Sequence, residues 1–145
     1  MIDIDAIPTW VHRAILVTLY LNKGEISKQK LNILLYLIYR ELRNIDPLED
    51  LDFYINMKTR EIEIFTPDKD VSIDDIFQFL FDDELINIYK DNIYLTEYGY
   101  KVVKAIINDP KFKNEIDATI RVFAQYKDIS KEGLINLILE SLKHS

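Results

Sequence analysis

Residues 72–100 read SIDDIFQFLFDDELINIYKDNIYLTEYGY, and three local signals in them decide the fold. Ser72, three residues before Asp75, predicts a capped helix start, with Asp in place of the usual Glu. Ile73, Ile76, Phe77 and Leu80 then recur at helical spacing, flanked by Phe79 and Phe81, while Asp74, Asp75, Gln78 and Asp82 fall on the opposite face. Two short runs, Ile86–Tyr89 and Ile93–Leu95, flank Lys90-Asp91-Asn92 and predict a hairpin with a compact turn. Thr96 predicts the N-cap of another helix, whose buried candidates are Val102, Val103, Ile106 and Ile107.

Upstream, a first helix is expected from about Pro8, after Asp5 or Ala6, with Trp10, Ala14, Leu16 or Val17, and Leu21 inward. Gly24 suits a left-handed cap at its end. Ser27 predicts the N-cap of a long helix reaching Arg43, with Leu31, Leu34, Leu35, Ile38 and Leu42 on one stripe. Ile33, Tyr36, Leu37 and Tyr39 lie off that stripe, so the helix is expected to be buried on more than one side. Alternation in 51–65 (Phe53, Ile55; Ile62, Ile64) predicts a second hairpin with Lys58, Thr59 and Arg60 at its tip. Downstream, Asn108-Asp109-Pro110 breaks the chain. A helix over 111–127 follows, with Phe112, Ile116, Ile120 and Phe123 as its stripe. Ser130 then caps a last helix in which Leu134, Ile135, Leu137, Ile138, Leu139 and Leu142 leave little polar surface. The expected fold is mainly α with small β hairpins (α+β). It divides into a core over 1–109, with the hairpin 51–65 inserted, and a two-helix extension over 110–145.

The chain of 145 residues has no cysteine, which excludes disulfides, thiolate catalysis and zinc–cysteine sites. No apolar run is long enough to span a bilayer, and MIDIDAIPTWVHR lacks a basic-then-apolar leader pattern, so the expectation is a cytoplasmic protein with no membrane partner. The net charge of −7 is unevenly spread: +3 over 21–44, −11 over 45–97 and +3 over 98–131. A polyanion would have to avoid the middle third.

Leu95, Thr96 and Gly99 form a Leu-Thr-x-x-Gly helix start after a second hairpin strand, which resembles the end of a winged-helix domain, a pattern common among transcriptional regulators. Lys30, Leu31, Leu34, Leu35 and Tyr36 resemble the Lys-Leu-x-x-Leu-Leu-Tyr pattern of Panacea domains, the phage-associated antitoxin family that neutralises toxins by protein contact. Together the resemblances cover about residues 10–107. They imply a winged helix-turn-helix core with 86–95 as its wing. The inserted hairpin departs from a minimal winged helix, and the segment after Pro110 lies beyond both patterns.

In a winged-helix regulator the helix before the wing reads base edges with Arg, Lys, Asn and Gln. Here that helix presents Asp74, Asp75, Gln78 and Asp82, followed by Asp83 and Glu84, and only Gln78 suits a base. Carboxylates repel phosphate, so the leading expectation is a protein-binding module, adaptor or antitoxin-like, that offers these six residues to a protein partner of basic character. The alternative is a dimeric DNA-binding regulator using Lys28, Lys30, Lys58, Arg60, Lys101, Lys104, Lys111 and Lys113. A plain solvated face accounts for either set. The apolar breadth of 134–142 fits a homodimer seam or simple core packing.

A cofactor is not expected. Asp68, Asp70, Ser72 and Asp74 have the alternate spacing of a calcium loop, but Ile73 stands where Gly is needed and Phe79 where Glu is needed. His12 and His144 lie in no metal-ligand spacing. Ser27, Ser72 and Ser130 all read as caps, and no carboxylate pair stands out for an active site. The reading is therefore non-enzymatic.

Overall fold

The computed structural model describes residues 7–44, 52–56, 58–59, 61–65 and 72–143, with the strands 52–56 and 61–65 described as backbone. Among the described residues there are six α-helices, α1 Trp10–Leu21, α2 Lys28–Leu42, α3 Ile73–Asp82, α4 Glu97–Ile107, α5 Lys113–Tyr126 and α6 Lys131–Lys143, with a 3-10 turn at Pro110–Phe112 before α5. The same residues hold five strands: β1 Glu25–Ser27, β2 Asp52–Asn56, β3 Glu61–Phe65, β4 Ile86–Tyr89 and β5 Asn92–Leu95. The class is the mainly helical α+β fold that the sequence pattern predicts.

Helix starts follow the local chemistry of their caps. Ser27 accepts from the Lys30 N–H, Thr96 from the Gly99 N–H, and Ser72 and Asp75 form a reciprocal capping box at α3. α1 begins slightly later than expected, at Trp10, because the Thr9 side chain caps it by accepting from the His12 N–H; Asp5 and Ala6 lie outside the described residues. Its end is as predicted, with Gly24 at φ +93° and its N–H donating to the Leu19 carbonyl at 2.7 Å. A Cβ at Gly24 would collide with the Tyr100 hydroxyl, and one at Gly99 with the Leu85 carbonyl. Gly24 lets its turn approach α4 closely, and Gly99 lets α4 approach the residue before β4.

β1, which the sequence did not announce, closes a three-stranded antiparallel sheet in the order β1-β5-β4. Ile26 lies opposite Ile93, and Ile93 opposite Ile88. The link is reinforced beyond the ladder, since the Lys28 N–H donates to the Asp91 carbonyl and the Leu95 N–H to the Gly24 carbonyl, both at 2.7 Å. β2 and β3 form a separate two-stranded ribbon with Phe53 opposite Ile64 and Ile55 opposite Ile62. Lys58 and Thr59 are exposed at its turn. Arg60, also expected there, lies outside the described residues, as does His144.

The core is one continuous cluster running from Ile7 to Ile138. α1 is buried on almost every side, including Val11, Ile15, Leu16, Val17 and Leu19. The sequence pointed to α2 as a helix buried on more than one side; α1 is another, because α2, α4, α5 and β5 all pack on it. α5 corrects its predicted stripe. Phe112 and Ile116 are buried, but Ile120 is 40% exposed and Phe123 only half-buried. The inward face runs instead through Ile116, Ala118, Thr119 and Val122, where small side chains let α5 approach α1 and α2 closely. Arg13 of α1 makes a bidentate pair with Glu115 of α5, at 2.6 and 2.9 Å, and lies 4.3 Å from the Phe112 ring centroid. In α6, Leu134, Ile135 and Ile138 are buried against the chain's own core, while Leu137 is 49% exposed.

Candidate functional site

α3 separates its two faces cleanly. Ile73, Ile76, Phe77 and Leu80 are buried, and Asp74, Asp75, Gln78 and Asp82 are exposed, as the 3.6-residue period requires. The six predicted partner-binding residues do not act alike. Asp75 belongs to the fold: its carboxylate accepts from the Ser72 N–H at 2.8 Å. Asp74 pairs with Lys28 Nζ at 2.6 Å. Gln78 donates to Asp82 at 2.8 Å along the helix surface.

Asp82, Asp83 and Glu84 remain, at the C-terminal end of the helix. Asp83 is the C-cap, Glu84 takes a left-handed conformation (φ +62°), and all three are exposed. No basic residue lies in the last turn of α3. Carboxylates at the negative end of a helix dipole are destabilising, by roughly 0.3–1 kcal/mol each. Phe81 is 44% exposed beside them. The Thr96 hydroxyl donates to the Glu84 carbonyl at 2.6 Å, which fixes the first turn of α4 against this end. That turn carries exposed Glu97 and a Tyr98 that is 47% exposed. The patch is thus acidic with aromatic members.

Phe81 and Glu97 were not legible as site residues, because their exposure depends on how α3 and α4 meet. Of the tyrosines on and after the hairpin, Tyr89 (63%) and Tyr98 are exposed. Tyr94 and Tyr100 are half-buried, with Tyr100 packed edge-on against Tyr20.

The basic residues are scattered and mostly engaged. Lys28 is held by Asp74 and lies 5.3 Å from the Phe77 ring. Lys30 donates to the Lys127 carbonyl at 2.6 Å, satisfying the end of α5. Lys113 pairs with Asp117 at 3.6 Å, and Lys111 lies over Phe112 at 4.9 Å. Lys101 and Lys104 are exposed on one face of α4, a turn apart.

Among the described residues no group of three His, Asp or Glu side chains is arranged to hold a metal ion. No described helix is long and apolar enough to cross a membrane. His12 is buried against Phe79, hydrogen-bonded to Thr9, with its pKa lowered to about 4 by burial and by Arg13. Compared with protein-family models, with curated proteins and with solved structures, the chain matches none.

Proposed function

We propose that the chain is a non-catalytic protein-binding module, adaptor or antitoxin-like, built on a winged-helix core, and that it takes a basic protein partner at the C-terminal end of α3. The order α1-β1-α2, then α3-β4-β5-α4, with β1 paired to β5, supports the winged-helix reading; β4–β5 is then the wing. The observation that carries the function is the run Asp82-Asp83-Glu84, with no basic residue in the last turn of α3, beside exposed Phe81. A helix end with the wrong charge is a standing cost that a cationic partner would relieve, and an exposed aromatic supplies the apolar anchor that charge alone lacks. The DNA-binding alternative finds less support, since Lys28, Lys30 and Lys113 are occupied within the chain. It rests on Lys101 and Lys104.

The test is site-directed photo-crosslinking from position 81 in the source cell, with and without Asp82→Lys plus Asp83→Lys. The expected result is a basic protein captured by the parent chain and lost on charge reversal. An identical capture profile for both chains, or none for either, would refute the docking site. Duplex DNA binding at low salt that is lost on Lys101→Glu plus Lys104→Glu would favour the regulator instead.

A further inference from the structure

The last turns of α2 place two arginines, Arg40 and Arg43, on one exposed face. In a chain with 25 carboxylates and 18 Lys and Arg side chains, cations readily find acidic partners. Arg13 holds Glu115, Lys28 holds Asp74, and Arg121 reaches Glu41 at 3.7 Å. Arg40 and Arg43 have no carboxylate within ion-pair distance among the described residues. Their guanidinium groups lie instead near the rings of Tyr36 and Tyr39, at 5.8 and 5.9 Å. Positive charge at a helix C-terminus is favourable, and that accounts for their place in the sequence.

It does not account for what they border. Both line a cavity of about 250 Å³ together with Glu41, Asn44 and Tyr126. Leu37, Arg40 and Tyr126 are shared with a second cavity of about 420 Å³, walled by Ile129, Leu134, Leu137 and Ile138. Leu137, the large side chain of α6 left 49% exposed, stands at its edge. The result is one groove between α2, α5 and α6, cationic at one end and apolar along the other.

We infer that this groove binds an acidic amphipathic helical segment of a partner protein. Two large apolar side chains a turn apart would occupy the apolar stretch, and a Glu or Asp beyond them would meet Arg40 and Arg43. Helix-in-groove recognition reads such i, i+4 anchors, and guanidinium pairs favour carboxylates in a planar, two-bond geometry. The site is separate from the acidic end of α3 and takes a partner of opposite charge, so the two can succeed or fail independently.

The test uses the full chain against a displayed library of 16-residue segments. Leu or Phe is fixed at two positions four apart, and Glu, Lys, Gln or Ala is allowed at every other. The expected result is enrichment of Glu on one side of the apolar pair. The best synthetic segment should bind at least tenfold more weakly to Arg40→Glu plus Arg43→Glu, and to Leu137→Glu, each variant keeping the parent's circular dichroism spectrum at the assay temperature. Replacing its Glu residues by Lys should restore binding to the double arginine variant. An empty selection, winners without acidic bias, or binding indifferent to the arginines would overturn the inference. So would self-association in sedimentation equilibrium that the arginine changes abolish, because the occupant would then be a second copy of the chain.

Discussion

Lowering the pH from 7.5 to 5 should remove about 2 kcal/mol of stability through one side chain, His12. The imidazole is 6% exposed, 2.6 Å from the Thr9 hydroxyl and edge-on to the Phe79 ring at 5.0 Å. Burial first, and the neighbouring Arg13 charge second, lower its pKa from 6.5 to about 4. The folded protein therefore holds His12 neutral, while the unfolded chain takes up a proton below 6.5. The contribution is complete above pH 6.5 and is lost as the pH falls toward 4. At about 1.36 kcal/mol per unit of pKa difference, the loss is about 2 kcal/mol at pH 5 and about 3 kcal/mol at pH 4. Carboxylates begin to titrate in the same range, so the measurement is a difference. Urea unfolding followed by circular dichroism at pH 7.5, 6.5, 5.5 and 5.0 would compare the parent with His12→Gln. The variant should be the less stable at pH 7.5, and the gap should shift in its favour by about 2 kcal/mol by pH 5. Parallel stability curves, or a His12 titration near 6.5 in the folded protein by NMR, would refute the reasoning.

Three further outcomes are expected. Gly99→Ala should destabilise by about 2–3 kcal/mol in thermal unfolding, because the new methyl meets the Leu85 carbonyl and the Leu95 side chain; a loss below about 0.5 kcal/mol would contradict that packing. Glu115→Ala should cost about 2–3 kcal/mol by leaving Arg13, with only 14% of its side chain exposed, without its bidentate partner; denaturant midpoints would show it, and a neutral result would mean that water replaces the carboxylate. Asp82→Lys plus Asp83→Lys should raise stability by about 1 kcal/mol by correcting the charge at the end of α3. A fall in melting temperature would show that these carboxylates are not a strain on the helix.

What the sequence made legible was local. Ser27, Ser72 with Asp75, Thr96 and Gly24 each act within three to five residues of themselves, so their roles as caps follow from spacing alone. The period of α3 likewise separated buried from exposed positions correctly. The misses are non-local. β1 is three residues long and exists because β5, some 67 positions later, pairs with it. The inward face of α5 is set by Ala118 and Thr119, whose small size matters only once α1 lies against them. At the acidic helix, residue type gave the charge and spacing gave Asp75 its cap role, but Asp74 as the partner of Lys28 emerges from the fold. The groove beside Arg40 and Arg43 has no sequence signature, since three helices from separate parts of the chain form its walls.

The all-round burial of α1 bears on how the chain must be made. A ribosome extends a chain by roughly 5–20 residues per second. Glu115 lies 102 positions after Arg13, so α5 emerges about 5–20 seconds later. For that interval α1, apolar on nearly every side, lacks the part of its cover that α5 supplies, and a helix of 12 residues is marginal in isolation. An early piece of the core is fully sheltered only late. Expression should therefore depend on chaperones that hold nascent apolar segments, more than the stability of the finished protein would imply.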